Sequence, residues 1–296
     1  MRYKLIIILL FTSFSVLGYG EEYPQTPNGI NKFSDLCAKD GELFGHTVVV
    51  IDLTSKLEKA QVDYIRKMVF TEKFFTSYKP FTKFSYLLID RNKKPASQEY
   101  ILSKCRPKSG KKTVYGDSEM HTYDENARFI KRYWSRFLSN IKTAEKKIFD
   151  INSSIKPADK SFIYETIATV SNLTDFDFQN DYPKDSRELV IVSDMMQHTD
   201  RVSFYEKCRA HKKYKDHPLF STCPTYSALL SADSTMKDYI EKTTPKGLGV
   251  NVKIIYLNHN YETKRELDKG LLKLWEDYFE SSGFKRPIVN RQLDIY

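Results

Sequence analysis

The chain has 296 residues, with 47 Lys and Arg against 38 Asp and Glu, four Cys and 41% hydrophobic residues. That composition excludes a collagen-like, coiled-coil or mainly disordered chain. A chain of this length buries about three quarters of its unfolded surface, so it does not depend on disulfides merely to fold.

The N-terminus reads as a targeting signal. Arg2 and Lys4 precede the apolar run Leu5 to Leu10, which Phe11, Phe14, Val16 and Leu17 extend, and small residues stand at Gly18 and Gly20. Basic start, apolar middle and small-residue end are the parts of a secretory signal peptide over 1–20, with an uncleaved N-terminal anchor as the alternative. The apolar stretch is short for a membrane span, and no second run reaches spanning length. A periplasmic or secreted protein is therefore expected, with no membrane span in the mature chain. The formal charge falls from +9 to +7 once Arg2 and Lys4 leave. A basic exported surface meets anionic lipid, envelope polymer or acidic protein rather than nucleic acid, or is simply a solvated face.

Export makes the cysteines readable. Cys37, Cys105, Cys208 and Cys223 are an even number in an oxidising compartment. Of three pairings, Cys37–Cys105 and Cys208–Cys223 are expected, against reduced, buried thiols as the alternative. No Cys-x-x-Cys or His/Cys cluster suggests zinc.

Residues 21–45 form a polar lead-in. His46 to Ile51 is a continuous β-branched run, as in a parallel strand covered on both faces. Leu57, Ala60, Tyr64, Ile65 and Met68 share one helical face, and Ser55 with Glu58 has the capping-box pattern. Phe84 to Ile89 and Glu99 to Leu102 read as strands, followed by the loop Cys105 to Gly110. A long helix is predicted over about 124–149, with Phe129, Ile130, Trp134, Phe137, Ile141 and Ile148 on its apolar stripe. Ser161 opens another helix. Leu189 to Val192 is a second buried-type strand ending at Ser193-Asp194, and 201–225 reads as an insertion. A helix marked by Leu229, Ala232, Met236 and Ile240, a strand over 250–257 and a last helix over about 262–281 follow. Gly283 then Phe284 suits a helix C-cap with its apolar contact. Strands alternating with helices predict one α/β domain over 46–285, a three-layer, mostly parallel open sheet with helices on both faces of Rossmann type, and a C-terminal tail over 286–296.

In open α/β sheets ligands bind beyond the carboxyl ends of strands, where strand order reverses. That singles out Asp52 and Asp194, each closely following an apolar strand, with Thr54 and Ser161 as hydroxyl neighbours. Two carboxylates and two hydroxyls are hard oxygen ligands of the kind Mg2+ or Mn2+ takes. The same residues also suit plain structural work, as N-caps and as turn aspartates accepting backbone N–H groups.

Asp52-x-Thr54 after the first strand, Ser161 before a helix and Ser193-Asp194 after a later strand resemble the von Willebrand factor A fold and its metal-ion-dependent adhesion site. The resemblance implies that Asp52 is the first aspartate of Asp-x-Ser-x-Ser, Thr54 its first serine, Ser161 the second-loop threonine and Asp194 the third-loop aspartate. The chain is also similar to a group of exported bacterial A-domain-like proteins of unassigned role, in Asp52 to Leu57, Cys105-Arg106-Pro107, Ile191 to Gln197 and Trp275 to Phe279. One departure stands out: the motif's second serine falls at Lys56, whose protonated amine has no lone pair for a metal. Lys56 either points away or folds in as counter-ion to Asp52 or Asp194, and the two arrangements compete.

Other motifs are weak. Asp175, Asp177 and Asp181 lack the glycine and the closing glutamate of a calcium loop. His198, His211 and His217 have no helical spacing with a carboxylate. Gly247-Leu248-Gly249 precedes a strand, and no Gly-x-Ser-x-Gly or Walker motif occurs. Asn152-Ser153-Ser154 and Asn172-Leu173-Thr174 are glycosylation sequons, meaningful only in a eukaryotic secretory host. The expected function is an exported, non-enzymatic binding or adhesion-type module with no catalytic residues, binding a protein partner through a degenerate Mg2+ or Mn2+ site or, with Lys56 in place of the metal, through the same rim without metal. The alternatives are a metal-dependent phosphoester hydrolase using Asp52 and a basic binder of anionic envelope polymer.

Overall fold

The structure, a computed structural model, describes residues 36–37, 45–89, 100–110, 127–154, 160–172, 186–204, 223–232, 234–243, 249–257 and 265–291. The targeting segment 1–20, Asp175 to Asp181, His211, His217 and Cys208 lie outside them.

Six strands form one sheet: β1 (Gly45–Asp52), β2 (Thr82–Ile89), β3 (Leu102–Cys105), β4 (Arg187–Ser193), β5 (Asn251–Tyr256) and β6 (Ile288–Arg291), in the order β3-β2-β1-β4-β5-β6. All neighbouring pairs are parallel except the antiparallel edge pair β2–β3. The helices are α1 (Lys59–Val69), α2 (Glu72–Thr76), α3 (Ala127–Ser154), α4 (Ile163–Asn172), α5 (Tyr226–Ala232), α6 (Ser234–Thr243) and α7 (Arg265–Ser281). The expected α/β fold class holds, with a mostly parallel sheet between two helical layers.

The layers follow from strand alternation. Val48 and Val50 of β1 face a core completed by Ile163, Tyr164 and Ile167 of α4, Ile240 of α6, and Leu271, Trp275 and Tyr278 of α7. Val49 and Ile51 face the opposite core, with Ile65 and Val69 of α1, Phe74 and Phe75 of α2, and Trp134, Phe137, Ile141 and Ile148 of α3. All eight residues of β1 are buried, as expected for a central strand covered on both sides.

Several boundaries differ from the sequence reading. The capping box of α1 is Glu58 with Gln61, whose Oε1 accepts from the Glu58 N–H at 2.9 Å, three residues later than the Ser55–Glu58 pattern suggested. Ser55 is exposed in the preceding turn and Ala60 is exposed as well. The third strand starts at Leu102 rather than Glu99, so that Cys105 ends it, paired with Lys83. Ser161 is not in a helix: it forms an antiparallel bridge with His198, and α4 starts two residues on. Ile288–Arg291, read as tail, adds a parallel edge strand on β5. A short exposed edge strand needs few apolar residues, which is why hydrophobic patterning missed it.

The end of α7 matches its sequence signal. Gly283 adopts φ 83°, the Phe284 N–H returns to the Phe279 carbonyl at 3.0 Å, and the two rings meet at 5.3 Å. Cys37 and Cys105 form a disulfide with Cα atoms 4.8 Å apart. Cys223 is disulfide-bonded too; its expected partner, Cys208, lies outside the described residues. Asn152 is buried inside α3 with its side chain engaged, so that sequon is no surface acceptor.

Candidate functional site

The chain winds from β1 towards β2 and β3 on one side of the sheet, and from β4 towards β5 and β6 on the other. The reversal therefore falls between β1 and β4, where adjacent connections diverge and leave a crevice at the strand ends. The last ladder pair there is Ile51 with Val192, and one residue beyond each come Asp52 and Ser193.

Asp52 is the centre of a hydrogen-bond cluster. Its Oδ1 accepts from the Thr54 N–H at 2.9 Å and from Thr54 Oγ1 at 2.6 Å. Its Oδ2 accepts from Ser193 Oγ at 2.8 Å and Ser161 Oγ at 3.3 Å. The three donor residues come from three separate segments, so the topology, and not local sequence, builds the cluster. Ser161 is delivered by its bridge to His198: the Ser161 N–H donates to the His198 carbonyl at 2.7 Å and the His198 N–H returns to Ser161 at 3.0 Å. Gln197 secures the same junction, accepting from the Tyr164 N–H in the first turn of α4 at 3.0 Å and donating to Glu165 at 3.1 Å.

Asp194 is half-buried beside this cluster, its Oδ1 accepting from the Met196 N–H at 2.9 Å. Met195 between them adopts φ 59°, a left-handed conformation disfavoured for a side chain of its size. It is held there by its N–H to Ser193 Oγ at 2.8 Å and by Trp275 Nε1 donating to its carbonyl at 2.8 Å. Strain of this kind, retained by surrounding bonds, collects where the backbone must present a side chain in one place.

Asp52, Thr54 and Ser161 are each under a tenth exposed. Burial, and after it the neighbouring Asp194 carboxylate, push the Asp52 pKa up to about 6, against the opposing pull of its hydrogen bonds. The buried Asp52 carboxylate and the half-buried Asp194 carboxylate repel, and a cation would relieve that repulsion.

All four expected site residues thus meet at one rim. Both aspartates do accept backbone N–H groups in turns, as their structural reading requires, but Asp52 also collects three hydroxyl donors that a turn does not need. Each of those hydroxyls spends its single proton on Asp52, so its lone pairs are directed elsewhere. Lys56 is exposed, so of the two arrangements open to it, the solvated one is adopted.

Among the described residues no group of three or more His, Cys, Asp or Glu side chains could hold a metal; a cation at this rim would rest on the Asp194 carboxylate and on hydroxyls, with Asp52, whose oxygens accept four hydrogen bonds, as the charge behind them. That donor set fits a hard divalent cation such as Mg2+ or Mn2+, which also keeps waters or a partner's oxygen in its shell. His198 does not extend it, since its Nδ1 lies 2.8 Å from Ser203 Oγ within the same loop.

Two contributors were missed from sequence. Ser193 occupies the last position of β4, and its pairing with Asp194 in the motif was its only visible signal. Asn152 is a polar residue four places after Ile148 on the buried stripe of α3, an exception to that stripe that was readable as a specific contact.

No protein-family model matches the chain, and no curated protein matches it. Among solved structures the chain is similar to one described as von Willebrand factor type A from Catenulispora acidiphila, at 9% identity and a TM-score of 0.37, covering 85% of this chain and 39% of that one. The chain therefore spans about two fifths of that protein's length.

Proposed function

We propose that the protein is an exported, non-enzymatic binding module that engages a protein partner at the rim carrying Asp52, Thr54, Ser161 and Asp194, with Mg2+ or Mn2+ held there. The observation that carries this reading is the convergence of hydroxyls from three segments on the buried carboxylate of Asp52. The lone pairs of Thr54 and Ser161 and the Asp194 carboxylate form an oxygen-only donor set, and a hard cation bound to it would keep an open position for a carboxylate of the partner. The Cys37–Cys105 disulfide is compatible with an oxidising compartment, and among the described residues no helix is long and apolar enough to cross a membrane.

The hydrolase reading draws less support from this geometry. A nucleophilic carboxylate needs an oxygen free to attack, whereas both oxygens of Asp52 are held by hydrogen bonds.

The test is a thermal-shift titration with MgCl2 and MnCl2 on the protein and on Asp52→Ala. Saturable stabilisation of the parent alone is expected. The same response in both proteins would remove the metal from the proposal. Capture of a partner that persists unchanged in chelator and in the Asp52→Ala protein would remove the rim as its binding surface.

A further inference from the structure

Among the described helices, the two outer layers of the sheet differ in charge. Helix α3 carries seven basic residues against two acidic, Glu145 and Asp150, whereas α7 on the opposite layer carries three basic against five acidic. On α3, Arg128, Lys131, Arg132, Lys142, Lys146 and Lys147 are all exposed. Arg128, Lys131 or Arg132, Ser135, Ser139, Lys142 and Lys146 recur at three- and four-residue steps, so the cations lie on one stripe opposite the apolar one. Glu145 does not neutralise the stripe, because it is paired with Arg66 of α1 at 2.8 Å.

An aromatic side chain stands in the first turn of α3, at the border of this stripe and not among the buried apolar residues where the helical spacing predicts it. Phe129 is 53% exposed, one of two large hydrophobic residues that are exposed among those described. Arg132 and Arg136, three and seven residues on and both exposed, follow it along its own side of the helix. A ring beside cations adds apolar area that long-range charge attraction alone would not call for.

We propose that the outer face of α3 docks on an anionic lipid surface, its lysines and arginines meeting the headgroups and Phe129 entering the interface. Cations around an exposed aromatic are the combination that an interfacial helix uses, the charges supplying attraction and the ring a share of apolar burial. Anionic lipid is favoured over a soluble polyanion by Phe129, whose ring would gain apolar burial in a lipid interface. The geometry also leaves the rim clear: Asn152, at the other end of α3, contacts Leu57 in the loop that follows Thr54. At 1.5 Å per residue, Phe129 and Asn152 are about 35 Å apart along the helix.

The experiment is co-sedimentation of the protein with vesicles of phosphatidylcholine alone and with vesicles containing a quarter phosphatidylglycerol, at low and high salt. Binding to the anionic vesicles only, weakened by salt, is expected. The Lys131→Glu/Arg132→Glu/Lys142→Glu protein should bind roughly a hundredfold or more weakly. Phe129→Ser should weaken binding about tenfold while leaving its salt dependence unchanged. All four positions are exposed, so the variants retain the fold, which far-UV circular dichroism verifies. Binding that ignores lipid charge, no binding at all, or no effect of Phe129→Ser would overturn the proposal. So would tighter binding to a soluble polyanion such as single-stranded DNA than to anionic vesicles. Because the readout does not involve Asp52 or divalent cations, its failure is independent of the rim proposal.

Discussion

Asn152 and Leu57, ninety-five residues apart in sequence, are joined by two hydrogen bonds: Asn152 Oδ1 accepts from the Leu57 N–H at 2.8 Å, and its Nδ2 donates to the Leu57 carbonyl at 3.3 Å. The side-chain amide thereby completes the backbone of the turn between β1 and α1 as a neighbouring strand would. Leu57 lies three residues after Thr54, so the last turns of α3 hold in register the loop that presents Thr54 to Asp52.

Replacing Asn152 by Ala should leave the Leu57 N–H buried without its partner, at a cost of about 2 kcal/mol. Asn152→Asp keeps the acceptor and, while protonated, an O–H donor, so its loss should be smaller at a pH where Asp is neutral and larger where it is ionised and buried. Urea unfolding of the three proteins measures this. If the loop positions Thr54, Asn152→Ala should also reduce the stabilisation by Mg2+. Equal stability of Asn152→Ala and parent would show that the turn needs no clamp.

The parts of the molecule that were readable from sequence are those where burial imposes a period. β1, β4 and β5 show as apolar runs because both their faces are covered, and the stripes of α3 and α7 show at helical spacing. Asp52 and Asp194 were readable because a carboxylate immediately after such a run has to sit at the sheet's rim. What was not readable depends on contacts between distant segments. Ser161 was expected at a helix start because serine caps helices, but its backbone is taken by His198, thirty-seven residues on, and the helix begins later. The start of α1 slipped by one turn because Ser55 and Glu58 form as good a local capping pattern as Glu58 and Gln61, and only packing of Leu57 against α3 distinguishes them. Ile288–Arg291 has no buried period of its own and is a strand because β5 offers it an edge.

The Cys37–Cys105 disulfide closes a loop with a sequence separation of 68 residues. It ties a segment ahead of β1 to the end of β3, where Arg106 is fully buried and its Nε donates to the Phe75 carbonyl at 2.7 Å. Replacing both cysteines by Ser should cost about 2–4 kcal/mol, since a loop of this size is expensive to close in the unfolded chain. Denaturant unfolding of the double variant against the parent checks this. An unchanged midpoint would mean that the segment around Cys37 is held by packing alone.

Asp52 holds a charge where a neutral side chain would be cheaper. Its pKa, raised to about 6 by burial and by Asp194, means that ionised Asp52 weakens the metal-free fold at neutral pH. Asp52→Asn keeps an acceptor for Thr54 and offers an NH2 to the hydroxyls of Ser161 and Ser193. It should therefore stabilise the metal-free protein by about 1–3 kcal/mol at pH 7, while the response to Mg2+ and Mn2+ disappears. Gain of stability with loss of ligand response is the behaviour of a residue kept for binding rather than for folding. Asp52→Asn that is less stable than the parent in chelator would instead make the carboxylate a structural acceptor.

His46 gives the fold an acid sensitivity of opposite sign to that of Asp52. It is buried in β1 with Nε2 3.0 Å from Ser85 Oγ, and burial, then the charge of Lys83, lowers its pKa to about 3. Between about pH 6.5 and 3 the unfolded chain binds a proton at His46 that the folded chain does not, so this residue's contribution to stability falls as pH falls, by at most about 1.4 kcal/mol per pH unit. Asp52, Glu165 and Glu188 have raised values, chiefly from burial, so they take up protons more readily in the folded state and their contribution rises as pH falls. The parent's stability curve mixes the two. The difference between parent and His46→Gln isolates the histidine, and it should shift steadily against the parent as the pH is lowered through this window. Parallel curves from pH 7 to 4 would show that His46 can be protonated without leaving its place in β1.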